Sequence, residues 1–173
     1  IENWEEGKTE QLEAVNNPED PAAGTRMLSF GRELWIEQDD FQENPPPKYY
    51  RLYPGNAVRL RYGYIVSCTG FDKDPDTGEI LAVRCTFDPE TKGGNAPDNR
   101  KVRGTIHWVS AANAIPIQVR LYDYLFAVDR PMDVLPGGSF LDNLNHDSLE
   151  IVNTAYAEPA LAEAKTEERY QFE

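Results

Sequence analysis

The chain has 173 residues, with 17 Lys or Arg against 30 Asp or Glu, and therefore a formal net charge of -13. Hydrophobic residues make up 40% of it, which is typical of a folded domain and excludes an intrinsically disordered chain. The acidity argues against indiscriminate binding of nucleic acid, because the field of the whole protein repels phosphate, but it does not exclude a local basic patch.

No apolar run approaches the ~20 residues that a membrane helix needs, so we expect no membrane association. The first residues, IENWEEGKTE, lack the cationic start and apolar centre of a secretory signal. We therefore expect a cytoplasmic protein in which Cys68 and Cys85 are reduced, buried strand thiols, although one disulfide is geometrically possible. The chain begins without Met, and we expect it to be a piece of a longer protein.

Short runs rich in β-branched and aromatic residues lie between the 13 prolines and 12 glycines and predict strands. The first predicted strand is GRELWIEQDDF, residues 31–41. The second, residues 57–71, alternates apolar residues with Arg59 and Arg61. It is predicted to form a hairpin with residues 79–88 across the turn sequence Asp-Pro-Asp-Thr-Gly.

The second half of the chain begins with a long, turn-rich loop that ends near Gly104. Strand-like runs follow at 104–111 and 115–129, and the second is long enough to bend or split. Another strand is predicted at 148–156, then a short turn of helix at 160–164 and the start of a last strand. Many short strands at about ten-residue spacing predict an all-β barrel or sandwich.

Motifs for catalysis are absent from the sequence, which contains no G-x-S-x-G, phosphate-binding loop or dinucleotide fingerprint. His107 is expected to be a strand residue and His146 a loop residue, and neither is placed beside a serine nucleophile. The string DKDPDTGE lacks the spacing of a calcium loop, so we expect no metal site. A glycosidase-like carboxylate pair stays open among so many acids, but none is marked by its context. We expect no catalytic residue.

Residues 44–71 contain no acidic residue, although they hold four cations and five tyrosines. The ordinary interpretation is that tyrosines suit strands and that arginines keep an outer sheet face soluble. Against it, Arg59 and Arg61 would project from one strand face ~6–7 Å apart, which suits the phosphates or bases of single-stranded RNA. The tyrosines that offer ring faces for base stacking are Tyr49, Tyr50 and Tyr53.

Several runs carry a resemblance to a known family. The most specific are RKVRGTIHWVS (100–110) and VRLYD (119–123). Further matches, in the same order along the chain, are IENW (1–4), LWIEQDDF (34–41), YAEP (156–159) and YQFE (170–173). Over essentially its whole length the chain resembles the anticodon-binding region of the glutaminyl-tRNA synthetases, which are class I aminoacyl-tRNA synthetases.

This resemblance implies two β-barrels like those of the ribosomal protein that binds 5S RNA. Residues 1–45 would form the first part of a proximal barrel, and residues 46–130 would form the distal barrel. Residues 131–173 would form the second part of the proximal barrel, which we expect to be truncated.

The resemblance also implies a division of labour. The parent enzyme joins glutamine to its tRNA with ATP and magnesium in a catalytic domain whose nucleotide-binding signatures are missing here. The present chain would be inactive, would hold no cofactor and would recognise the CUG or UUG anticodon. Its expected partners are the anticodon loop of tRNA-Gln and the enzyme's own catalytic domain, and we expect a monomer.

Carried over position by position, Arg59 and Arg61 match arginines that contact the first anticodon nucleotide. Arg51 and Lys48 match the basic group around the third nucleotide. Tyr50 lies in that group where a bacterial member of the family has lysine, which would exchange a phosphate contact for stacking.

The middle anticodon base would be read by another part of the chain. Gln171 matches a glutamine that hydrogen-bonds the middle uridine, and Pro18 and Glu19 match a loop that lies against the same base. A bacterial member has asparagine where this chain has Glu19, and a carboxylate cannot donate a hydrogen bond to a uracil carbonyl.

Three alternatives remain at this point. The glutamyl-tRNA synthetases of archaeal and eukaryotic type share these barrels. A β-barrel used for protein interaction would keep the basic stretch for solubility alone. A small β hydrolase would use an unmarked carboxylate pair.

Overall fold

The computed structural model describes residues 1–94, 96–168 and 170. In this part of the chain the regular structure consists of ten β-strands and five short 3-10 helices, with no α-helix. The predicted all-β class is therefore confirmed. No helix among the described residues has the length and apolar character needed to cross a bilayer.

The strands are β1 (Glu10–Val15), β2 (Thr25–Phe30), β3 (Leu34–Trp35), β4 (Ala57–Leu60), β5 (Ile65–Lys73), β6 (Ile80–Asp88), β7 (Gly104–Ile106), β8 (Val109–Ser110), β9 (Ile115–Tyr122) and β10 (Leu149–Ala157). The 3-10 helices are Pro21–Ala23, Gln38–Asp40, Pro89–Thr91, Phe140–Asn143 and Pro159–Glu163.

Strands β1 and β2 form an antiparallel hairpin that the sequence analysis did not predict. Leu12 and Leu28 face each other across it, and Ala14 and Phe30 share their buried face. The alternation of apolar and polar residues in EQLEAV and TRMLSF is the usual signal of such strands, so these elements were detectable from the sequence.

The largest sheet has the strand order β6-β5-β4-β7. The predicted hairpin of the second and third runs is confirmed as the antiparallel pair β5 and β6. The predicted strand 57–71 is divided, because β4 ends at Leu60 and the chain turns there, with the Leu60 amide donating to Tyr64 O (2.9 Å). Strand β7 then pairs with the other side of β4 in parallel.

Smaller sheets complete the described structure. Strands β3 and β8 pair in antiparallel orientation, and β9 pairs with β10. The predicted strand 31–41 is much shorter than expected, because Gln38–Asp40 turns into a 3-10 helix. The predicted run 115–129 ends at Tyr122. None of the four sheets closes on itself within the described residues.

An aromatic cluster forms the centre of the core. Phe30 lies in its middle, with its ring centroid 4.7 Å from Trp4, 5.1 Å from Tyr64 and 5.4 Å from Trp108, all in edge-to-face geometry. Such a pair stabilises a fold by about 0.5–1.5 kcal/mol beyond the burial of its area. The cluster therefore joins the N-terminal segment and β2 to the large sheet.

The chain divides into two compact units. The described residues within Ile1–Ile115 and Glu158–Glu173 form one unit, and Pro116–Ala157 forms the other. The first contains the aromatic cluster. The second is built on the ribbon of β9 and β10, where Gln118 donates to Asn153 Oδ1 (2.9 Å). The barrel boundaries predicted at 45/46 and 130/131 stay predictions.

The two cysteines lie opposite each other on β5 and β6, and neither forms a disulfide. Both are buried, so the predicted buried strand position is confirmed. Burial raises the pKa of Cys85 to about 12 and also raises that of Cys68, so both thiols stay protonated at neutral pH.

Gly104, the first residue of β7, is required by a close approach between two segments. A Cβ at this position would lie 1.9 Å from the carbonyl oxygen of Tyr50 and 3.1 Å from Val58. The first distance is far inside van der Waals contact, so any side chain would push β7 away from the segment that contains Tyr50.

We expect Gly104→Ala to lower the free energy of unfolding by about 2–3 kcal/mol, because overpacking against backbone atoms forces the main chain to move. Urea denaturation followed by tryptophan fluorescence measures this change. Gly31→Ala is the matched control, since its new methyl would meet only Lys8 O at 3.9 Å. Equal stability of the two variants would show that β7 does not approach Tyr50 so closely.

Candidate nucleic-acid interface

An open groove of about 840 Å³ collects cations on the surface of this acidic protein. We call it the basic groove. Two segments line it, residues 45–57 on one side and residues 100–104 on the other. Its charged lining residues are Lys48, Arg100, Lys101 and Arg103, and no carboxylate is among the described residues that line it.

The first wall begins with a constrained turn. Tyr49 N donates to Pro46 O (3.3 Å), and the Tyr49 hydroxyl donates to Asp39 O (2.7 Å). Lys48 occupies this turn with φ 71°, a left-handed conformation that costs a residue other than glycine about 1–2 kcal/mol. The turn thus fixes the backbone of an exposed lysine at a position where glycine would be preferred.

Tyr50 and Arg103 connect the two walls. The Arg103 guanidinium lies 5.4 Å from the centroid of the Tyr50 ring, and its Nη1 donates to the Tyr50 hydroxyl (3.3 Å). The tyrosine is 46% exposed, so much of its surface faces solvent. A ring beside a fixed guanidinium is a surface on which an unstacked base can lie.

Arg51 is held by an ion pair with Asp40. The carboxylate is only 3% exposed, whereas the arginine side chain is 48% exposed. Burial raises the pKa of Asp40, and the positive charge of Arg51 opposes that rise. The charge of Arg51 therefore stabilises a buried carboxylate and is not wholly available to a ligand.

Arg59 has internal partners. Its guanidinium donates to the carbonyl oxygens of Gly63 (3.2 Å), Thr91 (3.1 Å) and Gly94. Partial burial lowers the pKa of this arginine. It ties the β4–β5 turn to the loop after the 3-10 helix Pro89–Thr91, so three of its five N–H groups serve the fold.

Arg61 lies one residue beyond the end of β4, in the turn before β5, so the prediction that it belongs to the strand is wrong. The β4–β5 turn places the Arg61 guanidinium 5.4 Å from the centroid of the Tyr62 ring. The Tyr62 hydroxyl donates to Val15 O (3.2 Å) at the end of β1. Pro18 is exposed in the loop that follows β1.

The predicted residues thus fall into two groups. The first, which we call the tip cluster, comprises Arg59, Arg61 and Tyr62, together with the loop 15–19, which Tyr62 contacts at Val15 and which carries Pro18 and Glu19 further along the chain. The second is the basic groove, to which Lys48 and Tyr50 contribute. Arg51 is not among the residues that line the groove, and Gln171 lies outside the described residues.

Three cations of the groove, Arg100, Lys101 and Arg103, were not predicted as binding residues. Lys101 and Arg103 lie in the run RKVRG, which sequence reasoning used only for the family resemblance. The signal was the basic run itself, but its position opposite Lys48 depends on the parallel pairing of β7 with β4. The neighbouring Arg100 differs from them, because it pairs with Asp88 and with Asp98 (3.1 Å).

No group of three or more His, Cys, Asp or Glu side chains within the described ranges could hold a metal ion. His107 Nε2 lies 4.0 Å from Glu158 Oε1, and that carboxylate also accepts from Arg26 Nη2 (3.0 Å). His107 lies between β7 and β8, so the prediction that it is a strand residue is wrong, and it contacts the residue that follows β10.

Comparisons with known proteins agree on one family. Models described as "tRNA synthetases class I (E and Q), anti-codon binding domain" match residues 1–88 and 105–173. A glutamine–tRNA ligase of Bradyrhizobium diazoefficiens is 55% identical over 173 residues, 100% of this chain and 30% of that protein. That of Nitrobacter hamburgensis is 54% identical over the same shares. That of Clostridium kluyveri is 48% identical over 99% of this chain and 30% of its own length.

We expect Arg59→Ala to lower the free energy of unfolding by about 1–3 kcal/mol, because three carbonyl groups lose a charged donor. Urea denaturation measures the loss. Arg84→Ala on β6 is the control, since its pair with Asp72 (3.1 Å) is half exposed and such pairs contribute about 0–1 kcal/mol. If both variants were equally stable, the guanidinium of Arg59 would not brace the turn.

The contribution of Asp40 to the free energy of unfolding should depend on pH. Because burial raises its pKa in the folded protein, the ionised form costs free energy of folding, and this cost disappears once the pH falls below the pKa values of both states. The difference in free energy of unfolding, native protein minus Asp40→Asn, should therefore increase as the pH falls from about 7 towards 4.

Urea denaturation at a series of pH values tests this, with Asp76→Asn in an exposed turn as the control. All other acids titrate in both proteins and cancel in the difference. A difference that decreases towards low pH would mean that the attraction of Arg51 outweighs burial at Asp40.

Proposed function

Because the chain belongs to the family of class I tRNA synthetase (E and Q) anticodon-binding domains, we propose that it recognises the anticodon loop of tRNA-Gln. It spans 30% of the length of the relatives it matches, which carry the name glutamine–tRNA ligase. The parent protein would join glutamine to that tRNA in a separate catalytic domain that uses ATP with magnesium, acting in the cytoplasm.

The observation that carries this proposal is the distribution of charge. A protein of net charge -13 collects four cations in one groove, and the described lining residues include no acid. The surrounding negative charge would confine a polyanion to that surface. The exposed Tyr50 ring beside the cations suits bases that are not paired, as in an anticodon loop.

The tip cluster would contact the first two anticodon nucleotides. Arg59 and Arg61 would bind the first, and the loop with Pro18 and Glu19 would lie against the middle base together with Gln171. Since three carbonyls hold the guanidinium of Arg59, its remaining donors would meet a base edge without further ordering.

The basic groove and its neighbour would bind the third nucleotide. Lys48 and Tyr50 line the groove, and Arg51 lies next to them in the chain. The ion pair with Asp40 would orient Arg51, whose planar fork can donate two parallel hydrogen bonds to a base.

The finer architecture is also part of the proposal. We propose, from the family alone, two barrels like those of the 5S RNA-binding ribosomal protein, with residues 46–130 as the distal barrel. The strand pairs β3–β8 and β9–β10 cross the boundaries of that division. We propose a monomer that contacts its own catalytic domain. A glutamyl-tRNA synthetase is the second candidate, because the matching family model covers both amino-acid specificities.

Binding to tRNA tests the anticodon assignment. In filter binding the chain should prefer tRNA-Gln to the same tRNA with a changed middle anticodon base, and to tRNA-Glu. Arg61→Ala should weaken binding of tRNA-Gln by about 1–3 kcal/mol, the cost of leaving a polar partner unsatisfied in a site built for hydrogen bonds.

Arg130→Ala is the control for loss of charge, because its side chain is 86% exposed and pairs only locally with Asp133 (3.8 Å). Equal affinity for all three tRNAs would show that the surface binds RNA nonspecifically, through its cations alone. Preference for tRNA-Glu would assign the chain to the glutamyl enzymes.

A further inference from the structure

We infer that Lys101 and Arg103, the second wall of the basic groove, bind the phosphodiester backbone of the RNA beside the third anticodon nucleotide. This inference deepens the proposed function and rests on it. It assigns the two residues the task of setting the position of the strand, whereas the tip cluster and Arg51 would read bases.

The first observation is that the charges of this wall are not equally compensated. Arg100 is held between Asp88 and Asp98, so its charge is balanced within the protein. Lys101 is exposed and, like Arg103, forms no ion pair with any described residue. Arg103 donates a hydrogen bond to Tyr50 and lies over its ring. In a chain with 30 acids against 17 cations, two neighbouring cations without a carboxylate leave a local positive field.

The second observation is that the wall is held in place. Gly104 lies so close to the carbonyl oxygen of Tyr50 that no side chain fits between them. Strand β7 is paired with β4 through Val58 opposite Gly104. Arg103 is further restrained by the ring and hydroxyl of Tyr50. A ligand that enters the groove would therefore meet an Arg103 side chain that is already restrained and a Lys101 side chain on a backbone held in place next to β7, which lowers the entropic cost of binding.

The shape of the groove favours a backbone over a base as the ligand of this wall. It is open, with a volume of about 840 Å³, and its lining includes prolines at 45–47 with no hydrogen-bond donor on their nitrogens. Point charges on flexible stems, such as that of Lys101, suit phosphate, while base readout needs paired donors in fixed planes. The exposed face of Tyr50 would stack the base attached to that phosphate, which favours RNA over an acidic peptide.

The dependence of binding on salt tests this assignment. The affinity of the 173-residue chain for tRNA-Gln, and for the same tRNA with a changed middle base, is measured by filter binding across a range of salt. The variants are Lys101→Gln, Arg103→Gln and the double variant. Arg130→Gln outside the groove is the matched control, and urea denaturation verifies that each variant folds.

Each single substitution should lower the slope of log affinity against log salt by about 0.7–0.9, and the double variant by about twice that amount. Both tRNAs should lose affinity by the same factor, because a phosphate contact carries no sequence information. Arg130→Gln should leave the slope unchanged.

Three results would overturn the inference. An unchanged slope in the double variant would show that the RNA backbone does not contact the groove. A lost preference for the correct anticodon with the slope retained would assign Lys101 and Arg103 to base recognition. Displacement of tRNA by polyglutamate at equal charge, weakened by the same substitutions, would identify the groove as a site for acidic peptides.

Failure of the proposed function would look different. In that case the unsubstituted chain would bind both tRNAs equally, while the groove variants would still reduce the slope. Backbone binding at Lys101 and Arg103 would then stand without anticodon recognition.

Discussion

The candidate interface depends on one steric constraint, the contact between the backbone of Gly104 and the carbonyl group of Tyr50. These residues are far apart in the sequence, and only a position without a Cβ allows them to meet. The contact sets the distance between the walls of the groove and brings Arg103 over the Tyr50 ring. Cations from two distant segments thereby face one space, although the protein as a whole is strongly acidic.

The arginines near this space combine structural and binding roles to different degrees. Arg59 braces a turn through three carbonyls, and Arg51 compensates the buried Asp40. These contacts orient the guanidinium groups before any ligand arrives, which is how a protein reduces the ordering cost of recognition. Substitution of either arginine consequently changes the fold and the surface together. Substitution of Lys101 or Arg103 should change the binding surface with less effect on the fold, because neither has a carboxylate partner among the described residues.

Local patterns explain what could be predicted from the sequence. The all-β class and the β5–β6 hairpin were predictable from the alternation of apolar and polar residues and from a turn sequence. Both patterns depend only on residues that are neighbours in the chain. The end of β4 could not be predicted in this way, because the apolar alternation continues through Tyr62 and Tyr64 although the chain turns at residues 61–63. The internal partners of Arg59 and the place of Lys101 opposite Lys48 arise from tertiary contacts, which no local pattern contains.

The parallel pairing of β4 with β7 has a consequence for how the groove comes into being. Parallel strands cannot be joined by a tight turn. The chain between β4 and β7, which contains β5, β6 and the loop after them, must therefore bring its two ends together before β7 can pair with β4. A polypeptide emerging from the ribosome therefore presents the turn of Lys48 long before its opposite side exists. The two walls of the groove thus face each other only once β7 has paired with β4.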